Sequence, residues 1–152
     1  MKKISFILIA LLFTNFFYAQ KKRVTISESK IGGLSNSYTK SINLETKDTI
    51  YSVFSGFQNE EYKTITDIKY IAFSNNENLQ EFIKDLKNVL IEMESKVSIS
   101  WKREYYKLDL YDFSNELYLQ EAPKKGKGYT LLTKNQVSEY IVWLETIDFG
   151  KG

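Results

Sequence analysis

Two segments of this 152-residue chain have the hydrophobic periodicity of an amphipathic helix, and each follows segments with the alternation of β-strands. This pattern constrains the fold more than any other feature of the sequence. Apolar residues three and four apart predict an amphipathic helix over residues 77–94, with Asn76 as its N-cap. A second helix is predicted over residues 134–147, where Thr133 and Gln136 have the spacing of a capping box. The apolar stripe of the first helix consists of Leu79, Phe82, Ile83, Leu86, Val89, Leu90 and Met93.

Before the first helix, apolar and polar residues alternate, which is typical of strands with one buried face. Residues 49–57 and 62–73 are predicted strands, the latter with a bulge or a break near residues 66–67, where the apolar phase changes. The preceding segment, residues 20–48, is poorly defined. It carries short strand signals at 24–26 and 42–44, and turn or loop signals at 31–33 and 35–37.

Between the two helices the alternation predicts a meander of four strands, at 97–102, 105–111, 116–120 and 129–132. A two-residue connection would place Trp101 opposite Tyr106, and a four-residue connection would place Leu110 opposite Leu117. Both hairpins then direct every apolar residue to one face of the sheet, and this agreement supports the strand assignment.

These elements predict an α+β fold in which antiparallel β-meanders pack against two amphipathic helices, compatible with two β-rich units that are each closed by a helix. We expect one α+β domain over residues 49–150, preceded by the poorly defined segment. The layout over residues 49–147 is similar to that of the PUR-repeat and whirly families, which bind single-stranded nucleic acids. The resemblance is one of layout alone, so it carries no functional residue to this chain.

The first 19 residues have the pattern of a signal peptide. Lys2 and Lys3 precede an apolar run over residues 4–13, and the apolar character resumes before Ala19. We expect cleavage after Ala19 and export to the periplasm or the extracellular space, with no transmembrane helix in the mature chain. The alternative, an uncleaved anchor, would need about 20 apolar residues to span a bilayer.

Composition excludes several kinds of chemistry. The chain has no Cys and no His, so disulfides, thiol catalysis and His-dependent triads are ruled out. Of its 21 basic residues, two lie in the signal segment, which leaves 19 against 19 acidic residues. A neutral mature chain is a poor general polyanion binder, so nucleic acid is an unfavoured partner. We predict no cofactor and no metal site.

The candidate binding site is the predicted solvent face of the meander. Tyr105, Tyr111 and Tyr118 would form a stacking platform there, with Lys107 among the charged neighbours. The alternative interpretation is an ordinary sheet with one face in solvent, in which these side chains only stabilise their cross-strand neighbours. The alternation places the following residues on this face: Ser98, Ser100, Lys102, Tyr105, Lys107, Asp109, Tyr111, Glu116, Tyr118 and Gln120.

Three further candidates carry weaker patterns. The basic segment 124–128 lacks the spacing of a phosphate-binding loop and is expected to be a solvated loop. Oxygen ligands cluster around one hairpin tip, at Asp109, Asp112, Asn115 and Glu116, without the spacing of a calcium-binding loop. The adjacent pair Glu60 and Glu61 is a poor candidate for a two-carboxylate glycosidase.

The resulting functional prediction is a non-catalytic binding module of the cell envelope or extracellular space, whose partner is a protein or a glycan. The first alternative is a binder of polyanions or single-stranded nucleic acid, and the second is a carboxylate-based hydrolase.

Overall fold

Eight strands and two helices occur in the part of the chain that the computed structural model describes, residues 21–62, 64, 66–111, 115–121 and 128–150. Four strands and a helix are followed by four strands and a second helix. In chain order the elements are β1 (Lys21–Ile31), β2 (Leu34–Asn43), β3 (Thr49–Gln58), β4 (Ile68–Phe73), α1 (Asn76–Ser95), β5 (Ile99–Lys102), β6 (Tyr106–Leu110), β7 (Glu116–Glu121), β8 (Tyr129–Thr133) and α2 (Lys134–Glu145).

The strands form two antiparallel sheets of four, in the orders β1-β2-β3-β4 and β5-β6-β7-β8. This confirms the predicted α+β fold of meanders packed against helices. The prediction of a turn or loop at residues 35–37 is wrong, because these residues lie inside β2. The inner face of β2 carries a polar residue, Asn36, between Leu34 and Tyr38. The polar residue at this inner position interrupts the apolar alternation that would have identified the strand.

The connection between β3 and β4 is longer than predicted, since β4 begins at Ile68 rather than at residue 62. The change of apolar phase near residues 66–67 therefore marks a break, which was one of the two predicted alternatives, and not a bulge. Asn59 is buried and organises this connection. Its amide nitrogen donates to the Asp67 carboxylate at 2.7 Å, and its amide oxygen accepts from the backbone of Glu61 at 3.1 Å and of Tyr129 at 3.2 Å. The connection therefore folds back onto β8 and joins the two sheets.

The register of the first hairpin in the second sheet is shifted by two residues from the prediction. Trp101 lies opposite Leu108, not opposite Tyr106. The register of the next hairpin is confirmed, with Leu110 opposite Leu117. A shift of two residues leaves each side chain on the same face, so the predicted inner residues of β6 and β7 are buried.

The helices agree closely with the sequence prediction. The N-cap of α1 is Asn75 rather than Asn76, and its side chain accepts from the backbone of Asn78 at 2.8 Å. The capping box of Thr133 and Gln136 at the start of α2 is confirmed. Both caps satisfy backbone donors that the helix itself leaves unpaired.

A single core lies between the inner faces of the two sheets and the two helices. Phe82 of α1 is at its centre. The centroid of its ring lies 5.0 Å from that of Phe73 in the first sheet, 4.5 Å from that of Tyr106 in the second sheet and 5.9 Å from that of Tyr140 in α2. The two units therefore share one core.

Two tyrosine hydroxyls are buried in this core with polar partners. The hydroxyl of Tyr106 donates to Asp85 at 2.9 Å, and that of Tyr140 bonds Ser55. Burial raises the pKa of both phenols well above the ordinary value of 10.0, and the Asp85 carboxylate raises the pKa of Tyr106 further.

These raised pKa values predict unfolding at alkaline pH. Above pH 10 the unfolded chain loses protons from Tyr106 and Tyr140 that the folded chain retains, so stability falls as pH rises. Each phenol then contributes a loss of about 1.4 kcal/mol per pH unit. Circular dichroism should show an unfolding transition above pH 10 that moves to higher pH in the Tyr140→Phe variant. A midpoint unaffected by that substitution would contradict the prediction.

Candidate functional site

The outer face of the second sheet holds most of the residues that the sequence analysis selected. Leu108 of β6 and Leu117 and Leu119 of β7 are fully buried on the inner face, so their neighbours along each strand point outward. We call the outward-pointing group the tyrosine face. It consists of Ser100, Lys102, Lys107, Asp109, Tyr111, Glu116, Tyr118, Gln120, Tyr129 and Leu131.

Three tyrosine rings on this face contact one another in a row. The ring centroids of Tyr111 and Tyr118 are 5.1 Å apart in an edge-to-face arrangement, and those of Tyr118 and Tyr129 are 5.4 Å apart. These distances are typical of stabilising aromatic pairs. Tyr111 is 39% exposed, while Tyr118 and Tyr129 are half-buried. The row therefore presents a fixed aromatic surface to solvent.

Sequence reasoning selected Tyr111 and Tyr118 but missed Tyr129. The alternation that identified the other two could have found it, because Tyr129 lies opposite Gln120, which was already placed on this face. The omission came from applying the test of facing residues to the first two hairpins only.

Tyr105 is not part of the row. It lies in the turn between β5 and β6, which is closed by a 2.9 Å hydrogen bond from the Arg103 backbone nitrogen to the Tyr106 carbonyl. The two-residue shift of register moves the two turn residues from Arg103 and Glu104 to Glu104 and Tyr105, which removes Tyr105 from the predicted strand. Its side chain is 40% exposed and has no ring contact within the described residues.

Asp109 differs most from the expectation of a solvated side chain, since it is only 3% exposed. Its carboxylate accepts from the Lys107 ammonium at 2.5 Å, the Ser100 hydroxyl at 2.6 Å and the Gln120 amide at 2.7 Å. Hydrogen bonds to an ionised acceptor are stronger than those between neutral groups. The four side chains thus form a fixed polar cluster next to Tyr118, which lies opposite Asp109.

The cluster changes the expected roles of two candidates. The Lys107 ammonium is held by Asp109, so Lys107 is not a free cation for an anionic ligand. Lys102 lies directly opposite Lys107 and is exposed on the same face. Asp109 is held by three donors, so it is a poor candidate for a calcium ligand. Asp112, the next residue of that candidate set, lies outside the described residues, as do Lys124, Lys125 and Lys127 of the basic segment.

A second buried carboxylate, Asp85 of α1, is also fully engaged. It accepts from Arg103 at 2.8 and 3.2 Å and from the Tyr106 hydroxyl at 2.9 Å. The ion pair raises the pKa of the Arg103 guanidinium. This arrangement connects α1 to the β5–β6 turn, so its role is structural.

Within the described ranges, no group of three or more acidic side chains is placed to hold a metal ion. No helix in the same part of the chain is both long enough and apolar enough to cross a membrane. Comparisons of the chain with protein-family models, with curated proteins and with solved structures find no match.

Proposed function

We propose that this chain is an exported binding module that holds a partner on the tyrosine face without transforming it. The partner class is a protein or a glycan of the cell envelope or the extracellular space. The observation that carries the proposal is the row of Tyr111, Tyr118 and Tyr129 beside the Asp109 cluster.

The row has the properties of an effective contact surface. Tyrosine offers a large ring and a hydroxyl at a low cost in side-chain entropy, because only two torsions are ordered on binding. Here the ring contacts have already restricted those torsions in the free protein. A partner that stacks on the rings therefore loses little affinity to ordering of the surface.

The polar cluster favours specificity over catalysis. Lys107, Ser100 and Gln120 donate three hydrogen bonds to the Asp109 carboxylate, which commits this group to holding the cluster together. Asp85 is engaged in the same way. With no His and no Cys in the chain, these engaged carboxylates support binding rather than hydrolysis.

The expected result of replacing Tyr111 and Tyr118 together by serine is a loss of affinity of about tenfold to one hundredfold, the effect of removing one or two stacked aromatic contacts. The immobilised chain would first capture a ligand from an envelope and culture-medium extract of its own source. After identification by mass spectrometry, the purified ligand's dissociation constant would be measured for each variant.

Tyr62→Ser is the matched control, because Tyr62 is 46% exposed but lies in the β3–β4 connection of the other sheet. Circular dichroism would verify that each variant is folded. Unchanged affinity in the Tyr111→Ser, Tyr118→Ser variant would refute the proposal. Capture of only nucleic acid or another anionic polymer, lost at moderate salt, would instead favour the polyanion-binding alternative.

A further inference from the structure

We propose that the outer face of the first sheet carries a second binding site, which takes an uncharged oligosaccharide. The site is a shallow groove of about 390 Å³ that runs across β2, β3 and β4. We call it the cross-strand groove. Its described lining consists of Gly33, Ser35, Ser37, Phe54, Gly56, Phe57, Gln58, Ile68 and Tyr70. The inference does not depend on the tyrosine face, which belongs to the other sheet.

The groove exists because β3 has a glycine where the outer face would otherwise carry a side chain. Gly56 lies directly opposite Tyr70 of β4. A β-carbon at Gly56 would stand 3.1 Å from the Tyr70 ring, so the ring lies against the bare backbone of β3. Tyr70 is nevertheless 56% exposed. Its ring therefore forms an open apolar wall above the bare backbone at Gly56.

Hydroxyl groups form the opposite wall. Ser35 lies opposite Gly56 in β2, and Ser37 lies opposite Phe54. The described residues provide no hydrogen-bond partner for the side chain of either serine. Both hydroxyls can therefore donate and accept hydrogen bonds to a ligand. A ring on one side and hydroxyls on the other match a sugar, which has apolar C–H faces and a rim of hydroxyl groups.

The charge of the groove selects an uncharged ligand. None of the described residues that line it is charged, although the Arg23 guanidinium lies 5.7 Å from the ring centroid of the lining residue Phe54. An adjoining depression of about 530 Å³ shares Ser35 and Ser37 and adds one acid, Glu28, and one base, Lys30. The two depressions share Ser35 and Ser37, so together they extend across the outer faces of β1, β2, β3 and β4. This surface fits a chain of several neutral sugar units better than an anionic polymer.

The test uses the full chain and neutral oligosaccharides of two to six units of glucose, mannose, galactose or N-acetylglucosamine. Calorimetry should detect binding of at least one of them with a dissociation constant of about 1 mM or tighter. Tyr70→Ser should weaken that binding by about tenfold or more. Raising the salt concentration from about 50 to 500 mM should leave it unchanged, because no ion pair forms.

Tyr105→Ser is the matched control, because Tyr105 is 40% exposed in the β5–β6 turn of the second sheet and is not part of the tyrosine row, so this variant should bind the sugar as the unmodified chain does. A second groove variant, Ser35→Ala with Ser37→Ala, removes both hydroxyls without adding any atoms to the groove and should weaken binding similarly. The inference would be overturned if none of the oligosaccharides bound. It would also be overturned if Tyr111→Ser abolished binding while Tyr70→Ser did not, an outcome that would place the sugar on the tyrosine face and leave the proposed function standing.

Discussion

Replacing Asp85 by alanine is expected to lower the free energy of unfolding by about 3 kcal/mol, the lower end of the range for a broken buried ion pair. The carboxylate is almost fully buried and receives three hydrogen bonds, so its loss leaves the buried Tyr106 hydroxyl without that acceptor. Arg103 is 38% exposed at its side chain and can regain water, which keeps the loss from being larger.

Urea unfolding followed by tryptophan fluorescence would measure this loss. Glu81→Ala is the matched control, because Glu81 contacts the same guanidinium at 3.4 Å but is 47% exposed. Exposed ion pairs contribute about 0–1 kcal/mol. Should Asp85→Ala fail to fold, Asp85→Asn retains an acceptor for Tyr106 and should give a smaller, measurable loss. Equal effects of the Asp85 and Glu81 substitutions would show that the buried link is not a main support of the fold.

Replacing Phe82 by alanine is expected to lower the free energy of unfolding by about 3–5 kcal/mol. Phe82 is fully buried, and its ring contacts one aromatic residue from each sheet and one from α2. Truncation removes these contacts and leaves a cavity where the two units meet. Since this core is shared, both sheets should lose stability together.

Hydrogen exchange in the folded state would test the shared core. Amides of β3 in the first sheet and of β7 in the second should lose protection to the same extent in Phe82→Ala. Phe82→Leu, which fills most of the space, should give a smaller and equally shared loss. Val142→Ala is the control, because Val142 is 62% exposed and its truncation should cost no more than about 0.5 kcal/mol. Loss of protection in one sheet alone would refute a single cooperative core.

Local patterns were enough to predict both helices and the β6–β7 hairpin. The apolar stripe of α1 depends only on neighbours three and four residues apart, and the capping box of α2 spans four residues. For β6 and β7, alternation together with the length of the connection specified the facing residues.

The β5–β6 register was not predicted, because registers that differ by two residues satisfy the apolar alternation equally well. Arg103 was expected inside the two-residue turn, but its backbone pairs with that of Tyr106, and its guanidinium bonds Asp85 on α1, 18 residues earlier. The turn consists of Glu104 and Tyr105 instead, so Tyr105 lies outside the strand. Alternation constrains which face a residue occupies but not which partner stands opposite.

The candidate site likewise combines features that local patterns predict with features that depend on contacts between strands. Alternation correctly placed Tyr111 and Tyr118 on one outer face, and the ring contacts between them agree with that placement. The burial of Asp109 required Ser100 and Gln120 from the two adjacent strands to reach the same carboxylate. No local sequence pattern predicts this hydrogen-bonded cluster, because it depends on the pairing of three strands.

The sequence by itself determined the fold class, both helices and the faces of the β6–β7 hairpin, because periodicity and capping act between near neighbours. Only the tertiary structure decided the extent of β1 and β2, the engagement of Asp85 and Asp109, and the open wall that Tyr70 forms beside Gly56. These features join residues that are distant along the chain or on neighbouring strands. Their geometry follows from strand register and from the packing of both sheets on one core.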